Sequence, residues 1–249
     1  MGVVGAAVAT VLGYVVSTII ALIQLFLTKQ KVKPVFKNCL EPQMIKLIFS
    51  YGLPSFVMNA LGAFTVNFAN MFLVRYSDTA VAFFGAYFKV QQLIFMTVNG
   101  LIQGCLPIMR FNYRAKEYGR LKQANKSGTI IATVMMIVGM LLVLIFPKEI
   151  LFLFSASEEM CAFGVPAMRI MSLGFVFSGF SAMIATYEQA TDSIMPGVVV
   201  QLLRQGVLLV PVIWLLNSAV QMTGIWLAFP ITEFVTFLVA VVFAKIKNH

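Results

Sequence analysis

The sequence predicts an all-α integral membrane protein with about seven transmembrane helices. Three observations predict it. Of 249 residues, 60% are hydrophobic and only 11% are charged. Mean hydropathy is +0.93. Apolar runs near the length of a bilayer crossing, roughly 20 residues, recur between short polar breaks. A chain this poor in polar groups cannot cover a water-soluble globule. The runs also far exceed the roughly 10 residues of a barrel strand, so helices are expected rather than a β-barrel.

The first span lies near residues 2–27, "GVVGAAVATVLGYVVSTIIALIQLFL". It opens directly on apolar residues, with no basic leading region or small-residue cleavage site, so it does not read as a signal peptide. The expectation is a chain truncated at its N-terminus. The second span, near 43–74, places Asn59, Asn67 and Asn70 within an arc of roughly 80° at 100° per residue. The third, near 80–109, does the same with Lys89, Gln92, Asn99 and Gln103. Spans four and five fall near 124–146 and 162–187. The sixth, near 194–216, clusters Gln201, Arg204 and Gln205. The seventh, near 222–244, carries Glu233 close to its middle, flanked by Thr232 and Thr236.

Polar groups at membrane depth must be paired or face a cavity. An amide can satisfy this by bonding a neighbouring helix. Lys89, Arg204 and Glu233 are costlier, roughly 2.5–3.5 kcal/mol each, and require an ion partner or a water-filled cavity. Small residues four apart, Gly100 and Gly104 or Gly174, Ser178 and Ala182, predict close helix contacts. Pro54, Pro107, Pro166, Pro211 and Pro230 predict bends.

Lys and Arg collect on the cytoplasmic side of membrane proteins. Most of the 18 here fall after span one (Lys29, Lys31, Lys33, Lys37, Lys46), after span three (Arg110, Arg114, Lys116, Arg120, Lys122, Lys126) or at the C-terminus (Lys245, Lys247). The opposite side receives Asp78, Glu149, Glu158 and Glu159. The N-terminus is therefore expected outside and the C-terminus inside. Basic residues set against spans explain the net charge of +9 through topology and anionic headgroups, so no nucleic-acid partner is expected. Asn125-Lys126-Ser127 matches a glycosylation pattern but falls on the inner face.

Cys39, Cys105 and Cys161 show no paired or metal-ligand spacing, and the single histidine is the last residue, His249, so neither a disulfide framework nor a metal centre is expected. With no phosphate-binding glycine loop and only short connections, the chain is expected not to be an enzyme, to use no cofactor and not to couple ATP. Glu188 and Asp192 in "YEQATDS" are expected to be solvated at a short cytoplasmic turn.

Five stretches carry a family likeness: "YGLPSFVMNA" opening span two, "GLIQGCLPIMRFNYRAKEYGRLK" closing span three, "QATDSIMP", "LLRQGVLLVPVIWLL" in span six and "GIWLAFPITEF" in span seven. In order and spacing the chain resembles the C-terminal half of multidrug and toxic compound extrusion (MATE) transporters, in the bacterial multidrug-export branch. The resemblance implies one six-helix lobe, residues 43–249, preceded over residues 1–42 by the sixth family helix and a cytoplasmic linker. It also implies five further helices that belong to a missing N-terminal lobe. Two departures stand out. Arg110 and Arg114 lie near positions where the family favours glycine, so strain is expected there if tight turns are needed. Gly62 and Ser178 align with acidic cation-site positions of some members, which argues against a sodium site of that type in this half.

The implied function is a secondary multidrug efflux antiporter of the inner (plasma) membrane that exports cationic amphipathic small molecules in exchange for protons or sodium. The expected cavity wall includes Asn59, Asn67, Gln92, Asn99, Gln103, Arg204 and Glu233, with Glu233 as the ion-coupling residue and Lys89 or Arg204 as its electrostatic partner. A flippase of lipid-linked saccharides, a seven-helix receptor and an inactive truncation product remain as alternatives.

Overall fold

The computed structural model describes residues 2–27, 41–191 and 194–247, which are helical almost throughout. Lys29, Lys31, Lys33, Lys37, Cys39, Asp192 and His249 lie outside the described residues. Five stretches among the described residues are long and apolar enough to cross a membrane: Ala7–Phe26, Asp78–Arg114, Tyr118–Ile145, Glu158–Ala190 and Met222–Phe243. Shorter apolar helices, Ala60–Leu73 and Leu209–Val220, stand where spans two and six are expected. The chain is a multi-pass membrane protein.

Two compact units divide it, residues 1–53 and 54–249. The first contains α1 (Gly2–Leu27), whose apolar side chains, Val8 and Ile20 among them, are about half exposed and suited to hydrocarbon. Helix α2 (Pro42–Leu73) begins in the first unit and ends in the second.

The second unit is built around α3 (Asp78–Arg114). Ser77 caps it, its hydroxyl oxygen accepting the Thr79 N–H at 3.0 Å, and Asp78 complements the helix dipole. Phe83, Phe84 and Tyr87 lie on one face and are buried. Phe83 packs edge-on against Phe163 and Trp226, with centroids 5.6 and 5.2 Å apart, while Phe84 and Tyr87 meet Phe229. Lipid removes most of the hydrophobic drive between helices, so ring geometry matters, at about 0.5–1.5 kcal/mol per aromatic pair.

Helix α3 runs past its expected end at 109, and Arg110 and Arg114 adopt ordinary helical backbone. The strain expected at these arginines is not there. It falls on Lys116, at φ 61°, in the tight link to α4 (Tyr118–Ile145). After the short α5 (Pro147–Phe152), span five divides into α6 (Glu158–Ser172) and α7 (Phe175–Ala190). Span six divides more sharply: α8 (Ile194–Leu202), a π-type turn Leu203–Val207 kinked at Gly206, whose backbone is not helical (φ 170°, ψ -29°), then α9 (Leu209–Val220). In that turn the Leu208 N–H reaches back to the Leu203 carbonyl at 3.2 Å. Pro211, lacking an N–H, cannot close the ordinary bond to the Val207 carbonyl, which helps the ladder slip register. The last helix is α10 (Met222–Lys247).

Two expectations are overturned. A Cβ added at Gly100 or Gly104 would meet open space, because these glycines turn about 100° away from the buried Phe83/Tyr87 stripe. The other expected seam is close at Gly174, where a Cβ would stand 3.2 Å from Pro230 Cα. Glu188 is not solvated: α7 continues past it, and the side chain is 2% exposed, lining a cavity with Lys122 and Lys126.

Candidate functional site

The long α3, the π turn and α10 converge on a cavity of about 400 Å³, with α2 contributing Gly62, Thr65 and Val66. From α3 come Phe88, Lys89, Gln91, Gln92 and Phe95; the π turn supplies Arg204, and α10 supplies Phe229 and Glu233. Three aromatic faces thus surround two cations and one anion, which leaves the lining with one net positive charge.

Arg204 and Glu233 form an ion pair, Nε to Oε1 at 3.0 Å, with side chains 20% and 14% exposed. The guanidinium also stands over the Phe95 ring, 4.8 Å from its centroid, a position that favours cation–π attraction. Lys89 is exposed and has no ion-pair partner among the described residues. Of the two partners the sequence allows for Glu233, the structure selects Arg204.

Backbone geometry fixes both ends of the pair. On the acidic side, a Cβ at Gly174 would come 3.3 Å from Glu233 Cγ, so the missing side chain lets α10 bring the carboxylate inward. On the basic side, Gly206 in the π turn packs so closely on Thr65 and Leu61 that an added Cβ would overlap the Thr65 hydroxyl. Glu233 Oε2 is buried with no hydrogen-bond partner among the described residues. The hydroxyls of Tyr87, Thr232 and Thr236 are in the same condition. Such unsatisfied groups cost about 1–3 kcal/mol each, so a proton, water or small ion brought to them is stabilised.

A second cavity, about 210 Å³, adjoins the first at Arg204 and Phe95. Those two residues line both spaces; Asn99, Ser178 and Gln201 give the second its polar wall. Of the expected site residues, Gln92, Arg204 and Glu233 thus share the larger cavity and Asn99 lines the smaller. Asn67 is exposed and its amide donates to the Ala63 carbonyl of its own helix at 3.0 Å. Gln103 is exposed and lines neither cavity. Asn59 belongs to α2, but its side chain lies outside the described residues. Gln91 joins the site without a sequence signal, since it falls off the polar arc.

The MatE family model matches residues 54–215, most of the chain. The chain belongs to the MatE family. This MatE chain is 26% identical over 235 residues to the multidrug export protein MepA of Staphylococcus aureus strain bovine RF122, an alignment covering 94% of the chain and 51% of that relative. It is also 26% identical over 244 residues to MepA of Staphylococcus saprophyticus, with 96% and 53% covered. The chain therefore spans about half the length of the curated relatives it matches.

Solved structures show the same fold. An outward-facing multidrug resistance MATE transporter of the MOP superfamily superposes with a TM-score of 0.83 at 20% identity, covering 99% of this chain and 56% of that one. A MOP-superfamily transporter from Pyrococcus furiosus gives the same values. An inward-facing MATE transporter gives 0.77 at 20% identity, with 99% and 58% covered.

Proposed function

We propose that this chain forms one lobe, with the helix preceding it, of a secondary active multidrug exporter. Cationic amphipathic compounds leave the cell in exchange for protons or sodium as two lobes alternate access, with the binding site held near the membrane midplane. Residues 1–42 hold the preceding helix and linker, and residues 43–249 the lobe. The protein works in the inner (plasma) membrane with this chain's N-terminus outside and its C-terminus in the cytoplasm, by transport rather than catalysis.

The observation behind this reading is the Arg204–Glu233 pair, set in a membrane helix bundle and opening on an aromatic-walled cavity. A carboxylate at that depth costs roughly 2.5–3.5 kcal/mol, which favours its retention where an ion must be bound and released. Glu233 holds the coupling ion at Oε2, the oxygen that Arg204 leaves open. Phe88, Phe95 and Phe229 accept the flat, apolar part of the substrate. Asn59, Asn67 and Gln103 complete the wall where the second lobe closes over it. MatE membership and the multidrug-export relatives support the transport class and leave the seven-helix receptor without support.

The test is efflux of a cationic dye from cells expressing the protein, followed at several pH values. Glu233→Gln is expected to abolish the dependence of export on the proton gradient; unchanged export across pH removes Glu233 from coupling. A second reading, a flippase of lipid-linked saccharides, is favoured by the net positive cavity lining and the unpaired Lys89. Purified protein that binds a lipid-linked oligosaccharide and ignores cationic dyes would establish that reading instead.

A further inference from the structure

Arg204 presents an organic cation to the pocket from within the chain. Its flat, charged guanidinium rests on an aromatic face and against a carboxylate: 4.8 Å from the Phe95 centroid and 3.0 Å from Glu233 Oε1. These are the contacts that an aromatic cation entering the cavity would itself seek. We propose that Arg204 is a tethered competitor for the cation subsite, and that an organic cation binds between Glu233 and Phe95 by displacing it. This rests on the reading of the larger cavity as the substrate site.

Three features fit a displaceable side chain better than a fixed strut. Among the described residues its hydrogen bonding to the carboxylate is single, through Nε, whereas a structural Arg–carboxylate pair is commonly bidentate. Both partners are partly exposed to the cavity, so neither is locked by packing. The arginine springs from a kinked turn in which Gly206 leaves helical backbone, so the local chain has fewer ordinary helix bonds to break.

Displacement would also open a path. Arg204 and Phe95 line both cavities, so their stacked side chains form the partition between the roughly 400 Å³ aromatic space and the roughly 210 Å³ polar one. Once the guanidinium leaves Phe95, the two spaces join, and Asn99, Ser178 and Gln201 offer hydrogen-bonding groups to the far end of the ligand. The occupant is a monocation with a flat aromatic body and a polar or aminated end.

The test measures ethidium binding to the purified protein in lipid nanodiscs by fluorescence anisotropy. Arg204→Gln removes the competitor and is expected to tighten binding about tenfold, the equivalent of 1.4 kcal/mol. Arg204→Lys restores an internal cation and is expected to return affinity toward wild type. Glu233→Gln is expected to weaken binding about tenfold, the same step in the opposite direction. Loss of affinity in both Arg204→Gln and Glu233→Gln overturns the competition while leaving the cation site in place. Unchanged affinity in Glu233→Gln overturns the reading of the site and the competition with it. Should Arg204→Gln not fold, phenylglyoxal labelling of the wild-type protein decides. Ethidium is expected to accelerate modification of Arg204, read by peptide mass spectrometry, and protection of Arg204 by ethidium overturns the proposal.

Discussion

Removing Arg204 and Glu233 singly and together offers the sharpest check on the site. At 4 Å, opposite charges attract by about 4 kcal/mol for an effective dielectric near 20. Desolvation opposes this, and a charge-assisted hydrogen bond contributes about 1.5–3 kcal/mol net. Interhelical hydrogen bonds in membrane proteins average lower still, near 0.6 kcal/mol, because the unfolded chain also finds partners in lipid. With one 3.0 Å bond and side chains 20% and 14% exposed, the coupling belongs between these values, at about 1–2 kcal/mol. The assay is reversible unfolding in mixed micelles by increasing SDS, for wild type, Arg204→Gln, Glu233→Gln and the double variant. The double variant is expected to be less destabilised than the sum of the singles by that amount. Strict additivity within about 0.3 kcal/mol would refute the pair as an energetic unit.

Three further predictions concern the frame around the pair. Phe83→Ala removes a fully buried ring packed between Phe163 and Trp226, and an unfolding titration should show a loss of about 3–5 kcal/mol. Gly206→Ala drives a methyl into the Thr65 hydroxyl and the Leu61 side chain, and is expected to cost about 1–3 kcal/mol in the same titration, with Thr65→Ala recovering part of the loss. Lys116→Gly relieves a positive φ in the α3–α4 link and should raise the thermal midpoint, by a gain of about 0.5–1 kcal/mol; an unchanged or lower midpoint would show that the turn is not strained.

Helix positions were legible because crossing a bilayer demands a length of apolar chain that can be read residue by residue. The costly charges were legible for the same reason: Lys89, Arg204 and Glu233 stand out against their spans. Which of them meet was not, since Arg204 and Glu233 are 29 residues apart and only the π turn decides where the arginine points. Pro211 announced a bend but not its form. The spacing of Gly100 and Gly104 suggested a seam, yet spacing does not say which face of α3 turns inward, and the aromatic stripe claimed the interior. Glu188 misled because its surroundings in sequence are polar; burial there comes from α7 continuing one more turn, and its cavity includes α4 side chains some 60 positions away in the chain.

The unusual length of α3 has a mechanical consequence. At 1.5 Å per residue its 37 residues make a rod of about 55 Å, far longer than the hydrocarbon it crosses. Its middle supplies Lys89, Gln92 and Phe95 to the cavity, and its C-terminal tip carries Arg110 and Arg114. A tilt of about 10° about the midpoint would sweep each end through roughly 5 Å, a whole helical turn's rise. Any tilt of this rod about the cavity is thereby geared up into a larger displacement of the positive charge at its tip.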